Sequence, residues 1–209
     1  NPSAAASASI LYDTIPPTPT VGHASGFGAS PTIDFPVTFS EAVVGLVAGD
    51  FTLGNATAPV LTGSGASYVL RVTASAPGLV SAALAAATCA DFVGGNDNLA
   101  SATATCDFDT TAPTLTITPS GGAVNTNPIQ FDFVFSEPVV GFIKPDIAVS
   151  GGTAGTFAGS GASYSLFVTP SGGTPVTVGV TVGAAACTDR AGNAFAGPQA
   201  ASTTFDNQT

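Results

Sequence analysis

The 209-residue chain is only 8% charged, with 13 acidic against 3 basic side chains and a formal net charge of −10. That balance excludes nucleic acid as a partner, since gripping a phosphate backbone takes clustered Lys and Arg and only Arg71, Lys144 and Arg190 are present. No stretch approaches the roughly 18 consecutive apolar residues of a spanning helix, so membrane insertion is not expected, and the surplus of Asp makes a divalent cation the natural counter-ion.

With 25 Gly, 16 Pro and no apolar periodicity at helical spacing, the chain reads as short strands punctuated by turns. Residues 3–13, Ala- and Ser-rich and closing on Tyr12-Asp13, share their form with 99–109 and with 199–206. Residues 1–13 are therefore expected to be the last strand of a preceding repeat, or a free strand able to complete a sheet in another molecule. Pro-marked linkers open the next two segments, Thr14 to Thr20 and Thr110 to Pro119.

A period-two row follows, Ile33, Phe35, Val37 and Phe39, and it returns as Ile129, Phe131, Phe133 and Phe135 at an offset of 96 residues. This is a half-buried strand, met twice. Pro36 on its outward phase implies a place where a missing ladder donor is tolerated. A Ser-Glu loop leads to a third strand after Asp50 or Asp146, then a short fourth strand and a Gly-Ser-Gly turn. Tyr68, Leu70 and Val72 (Tyr164, Leu166 and Val168 in the second copy) mark the fifth strand, and Val176 to Val182 the sixth. Seven short alternating strands in fewer than 100 residues fit an aligned β-sandwich, with a barrel as the alternative.

The run Phe-Ser-Glu-Pro-Val-x-Gly-Phe, the Gly-Ser-Gly-x-Ser-Tyr turn, the loop Thr188-Asp189-x-Ala-Gly-Asn193 and the junction Phe-Asp-Thr-Thr-Ala-Pro resemble the bacterial Ig-like repeats of large secreted surface proteins and adhesins. The first copy departs at Asp91-Phe-Val-Gly-Gly-Asn96, where the Asp-to-Asn loop is stretched. The resemblance implies two tandem immunoglobulin-like Greek-key β-sandwich domains, 14–109 and 110–209, end to end and all-β.

In such a sandwich the linker, the Ser-Glu loop, the Gly-Ser-Gly turn and the loop before the last strand share one end. Asp109, Glu137, Asp189 and Asn193 would meet there in the second domain, and Asp13, Glu41, Asp91 and Asn96 in the first. Three carboxylates, an Asn amide and backbone carbonyls could supply the oxygen ligands of Ca²⁺. The same residues also suit a plainer reading, in which Asp and Asn start turns by bonding their own backbone and Glu137 faces water.

Three cysteines cannot all pair within the chain. Cys89 and Cys187 occupy equivalent positions one repeat apart, out of disulfide reach, and Cys89 and Cys106 fall at different heights of one hairpin. If a disulfide forms, the expected pair is Cys106 with Cys187; the alternative is three buried thiols.

No catalytic constellation is legible. His23 is the lone histidine, on the connection between the first two strands, and the cysteines lack the Cys-x-x-Cys spacing of a zinc site. The expectation is a non-catalytic extracellular or cell-surface stalk, stiffened by Ca²⁺ and partnered by neighbouring Ig-like repeats or copies of itself. The alternatives are a fibre subunit assembled by strand addition, and a ligand-binding module using exposed Phe27 and Phe92.

Overall fold

The computed structural model of the protein describes residues 12–23 and 26–208. The strand expected over residues 1–13 lies, but for Tyr12 and Asp13, outside the described residues. The chain divides into two compact units, 1–108 and 109–209, a boundary one residue earlier than the repeat pattern suggests.

The first unit runs β1 (Pro19–Val21), β2 (Phe27–Gly28), β3 (Thr32–Val44), β4 (Phe51–Gly54), β5 (Ala56–Ala74), β6 (Gly78–Leu84), β7 (Ala90–Asp91) and β8 (Ala104–Phe108). The second runs β9 (Leu115–Thr118), β10 (Ala123–Val124), β11 (Ile129–Phe135), β12 (Ile147–Ser150), β13 (Gly152–Ser160), β14 (Ser163–Pro170), β15 (Val176–Val182) and β16 (Gln199–Phe205). Each unit is a sandwich of two four-stranded sheets, ordered β13-β14-β11-β9 and β10-β16-β15-β12 in the second unit. In the first, β1-β3-β5 with β7 faces β2-β8-β6-β4. The strands form open sheets, so the barrel alternative does not hold.

The period-two rows place the core. Ile129, Phe131, Phe133 and Phe135 are all buried, while Gln130 and Val134 face out. On β14, Leu166 and Val168 are buried too, and β11 pairs with β14 so that Phe131 lies opposite Leu166. The facing sheet supplies Val178, Val180 and Val182. In the first unit Ile33, Phe35, Val37 and Phe39 do the same against Val80, Ala82 and Leu84. Removing one large core ring from such a layer costs about 3–5 kcal/mol.

Pro36 sits on a central strand. Its carbonyl accepts from the Gly22 N–H at 2.9 Å, so its missing donor falls just past the end of β1, where it costs only the last bond of that ladder. The glycine turn between the fourth and fifth strands is equally constrained: at Gly159 (φ +133°) an added Cβ would run into the Ser163 carbonyl and Tyr164 Cα, and at Gly63 (φ +110°) into Ser67 and Tyr68.

Two short strands were not legible in the sequence, β2 and β10. Each pairs in parallel with the last strand of its unit, β2 with β8 and β10 with β16. The leading segment of each unit therefore serves one sheet through β1 or β9 and then crosses to the other.

The cores differ in one respect. In the second unit Phe135, Phe142, Phe157, Tyr164 and Phe195 form an aromatic cluster, with Phe135 and Phe195 centroids 5.9 Å apart and edge to face. At the place of Phe195 the first unit has Asn98, and both residues bond the equivalent cysteine carbonyl, Cys187 or Cys89, through their backbone N–H at 2.9 Å. Asn98 is buried; its Oδ1 accepts from the N–H groups of Thr88 and Cys89 at 2.9 Å, and its Nδ2 donates to the carbonyls of Ala85 (2.9 Å) and Leu99 (2.7 Å). A saturated amide thus replaces a ring.

The expected Cys106–Cys187 disulfide is not formed, and all three cysteines are buried thiols. Cys106 lies on an inward phase of β8 opposite Val80, within the core of the first unit; Cys187 belongs to the core of the second. A sulfur enclosed in its own core has no path to the other. Burial, with a smaller contribution from Asp146, pushes the Cys187 thiol up to about 11, and burial likewise raises Cys89 and Cys106.

Two expectations follow from this packing. Asn98→Ala should leave buried backbone donors unpaired and cost the first unit about 2–4 kcal/mol; urea unfolding should show that unit's transition shifted and the second unit's unchanged. A thiol reagent should find no reactive cysteine in native buffer and all three in denaturant, and peptide mapping should recover no Cys106–Cys187 linkage.

Candidate metal centre

Each unit begins where its linker meets two loops. In the second unit the Ser136 N–H donates to the Thr114 carbonyl and the Thr114 N–H to Ser136 Oγ, both at 2.9 Å. The first unit repeats the pair with Ser40 and Thr18 at 3.1 and 3.0 Å. The serine of the Ser-Glu motif is therefore a tie between the first strand and the loop, and it carries the following glutamate to that end of the sandwich.

The loop between β15 and β16 supplies the next carboxylate. Asp189 is 3% exposed. Its Oδ1 accepts from the N–H groups of Gly192 (2.7 Å) and Asn193 (2.8 Å), and its Oδ2 from the Asn193 amide (2.8 Å). That same amide nitrogen donates to the Asp109 carbonyl at 2.9 Å, fastening the incoming chain to the loop. Asp109 turns its own carboxylate back on the linker, accepting from the Thr111 N–H at 2.8 Å.

The longer loop of the first unit reaches the same bonding. Asp91 Oδ1 accepts from Gly94 (2.7 Å) and Gly95 (2.6 Å), Oδ2 from the Asn96 amide (2.7 Å), and that amide donates to the Asp13 carbonyl at 3.0 Å. The extra residue is absorbed without loss of a partner. Asn96 and Asn193 thus enter the site through their nitrogen, as ties between linker and loop.

The outcome is three carboxylates per unit, Asp13, Glu41 and Asp91 in one and Asp109, Glu137 and Asp189 in the other, each trio with oxygens within 4.8 Å of one another. Partial burial raises the Glu137 carboxyl above its ordinary range, helped by the charges of Asp189 and Asp109. Glu41 is raised in the same way, by burial and then by Asp13 and Asp91. Asp91 moves oppositely, held down chiefly by the Asn96 amide and then by three backbone N–H groups, which outweigh burial.

This division defines the chemistry. In the first cluster Asp91 is kept ionised by its loop, and in each cluster the glutamate beside the loop carboxylate is in excess charge. Oxygens on opposite sides of a Ca²⁺ ion lie up to about 5 Å apart, so the spacing fits, and an all-oxygen donor set suits Ca²⁺ rather than Zn²⁺. Asp189 already accepts three hydrogen bonds of the roughly four a carboxylate can take, leaving room for one further contact. Glu137 accepts no hydrogen bond among the described residues and is the ligand with most freedom.

The remaining candidates do not join these clusters. His23 accepts from the Gly26 N–H at Nδ1 (3.1 Å) and packs against Phe35, a turn-and-core role. Phe92 is 80% exposed beside Asp91, whereas Phe27 lies on β2 opposite Asp107, at the other end of the unit. They do not form one aromatic patch.

Among known families, residues 109–206 match the bacterial Ig-like domain. No curated protein matches the sequence. Among solved structures the chain is similar to Yersinia pseudotuberculosis InvD, at 16% identity over 90% of this chain and 57% of that one, with a TM-score of 0.43. It is also similar to the Yersinia pseudotuberculosis adhesin InvE, at 14% identity over 90% of this chain and 58% of that one, with a TM-score of 0.32. The chain spans less than two thirds of either. The 109–206 unit, with its two open sheets, its leading segment shared between them and its linker fastened to the loop before the last strand, is the part of the chain that matches the bacterial Ig-like domain family.

Proposed function

We propose that the two units are non-catalytic spacer modules of an extracellular bacterial surface protein of the adhesin kind, and that Ca²⁺ at the carboxylate clusters fixes each linker to the module it enters. The observation carrying this reading is the membership of the clusters. Each takes one carboxylate from the linker, Asp13 or Asp109, and two from the body of the unit. A cation held there neutralises the repulsion among the three carboxylates, which adds to burial in raising Glu41 and Glu137, and it ties a segment that is otherwise secured by a few hydrogen bonds. The sparsely charged, Ser-, Thr- and Gly-rich composition suits an exposed repeat. No helix among the described residues is long and apolar enough to cross a membrane.

Binding to the folded form alone raises stability with ligand concentration, by about 2.7 kcal/mol at one hundred times Kd. The melting temperature is therefore expected to rise by about 5 °C or more from chelator to millimolar Ca²⁺, with proteolysis between residues 108 and 114 slowed in parallel. Equal melting and equal cleavage in the two buffers would end the calcium reading.

Glu137→Gln separates ligation from loop structure, because Glu137 holds no part of the loop. A glutamate whose carboxyl is raised in the folded state contributes stability below its unfolded value that is lost as pH climbs through the folded one. The variant should consequently melt slightly higher than wild type in chelator at neutral pH, by a few tenths of a kcal/mol or about 1–3 °C, and respond less to Ca²⁺. Asp189→Asn, by contrast, should destabilise the unit in either buffer.

A further inference from the structure

A sheet edge presents a row of unpaired backbone groups, and an uncharged, extended edge invites another strand. In the second unit three of the four edge strands are short: β9, β10 and β12 have 4, 2 and 4 residues. The fourth, β13, has 9 residues, Gly152–Ser160, none of them charged. Its ladder with β14 shifts register between Ala154 and Phe157. At that bulge the Lys144 ammonium donates to the carbonyls of Ala154 (3.1 Å) and Gly155 (2.6 Å). Lys144 stands just before β12, which belongs to the opposite sheet, so its side chain reaches across the sandwich edge to take up β13 acceptors.

The first unit faces the same problem with other residues. At the 96-residue offset Lys144 becomes Ala48 and Gly155 becomes Pro59, and Ala58 bends the strand with φ +51°. Proline removes a donor from the edge where lysine occupies acceptors. Two copies of one fold thus blunt one edge by unrelated chemistry, as expected if the edge itself is the hazard and either device suffices.

We propose that Lys144 is a lock on β13, and that with its ammonium removed β13 of one molecule pairs antiparallel with β13 of a second copy. A second copy is the fitting occupant because the strand carries no charge, so two meet without the repulsion that a net charge of −10 imposes elsewhere. Edge-to-edge pairing about a two-fold axis also closes on itself and stops at a dimer. This inference is independent of the calcium reading.

Sedimentation velocity on the full chain provides the test. Wild type and Lys144→Arg, which keeps a cationic donor, should remain monomeric. Lys144→Met should self-associate at least tenfold more tightly, and Lys144→Met with Gly155→Pro, which grafts the first unit's guard, should return to monomer. Lys144 is the sole lysine, so acetylating the folded wild-type protein should reproduce the dimer without any folding step, with identically treated Lys144→Arg as the control for the amino terminus. A folded Lys144→Met or acetylated protein that stays monomeric overturns the proposal, as does equal association of the double variant.

Discussion

Everything in this molecule hangs on the inward rows of β3 and β11. With so few charges, the units have little but apolar burial to define them, and a strand with a two-residue period has only one phase that buries Phe131, Phe133 and Phe135 together. Once that phase is set, the register with β14 follows, and with it the end of the sandwich at which each loop emerges. The Ser-Glu loop, the linker and the loop before the last strand converge because the central strand leaves them no other place.

The rows were legible because burial writes itself into side-chain alternation, and so were the carboxylates, because a residue type at a repeated offset is visible without a structure. What was illegible had no such mark. β10 is two residues of Ala and Val whose pairing is made wholly by backbone groups. Asn98 looks like any loop asparagine until the chain closes around it. Ser136 was read only as the neighbour of Glu137, and Lys144 as one of three cations, since both act on partners distant in sequence. The cysteines misled for a related reason: spacing along a strand shows height, whereas pairing depends on which side of the sheet the sulfur enters, and Cys106 enters the core.

The two units also show how loosely sequence is bound to a shared frame. Asp91 and Asp189 keep the same partners across loops of different length, because the bonds run to backbone N–H groups that any residue offers. Phe195 and Asn98 fill one place by opposite means, the ring through contact and the amide through five hydrogen bonds. Conserved position and conserved chemistry are separable here, and the backbone is what carries the position.

The parallel pairing of β10 with β16 gives the unit a direction of mechanical strength. The chain enters at Asp109, at the end where β16 begins, and leaves at Asp206, at the end where β16 stops, so traction on these two points draws β10 and β16 past each other lengthwise. Backbone bonds lie across that slip plane, among them Gly121 N–H to Ser202, Thr204 N–H to Gly122 and Asp206 N–H to Val124, at 2.6, 3.0 and 2.9 Å. They are loaded side by side and yield together, whereas a hairpin pulled from its open end surrenders its bonds one after another. The first unit has the same arrangement in β2 and β8, with the Asp107 N–H bonded to Gly26 at 2.8 Å. A strand too short to be noticed in the sequence is thereby the clasp that a pull along the chain meets first.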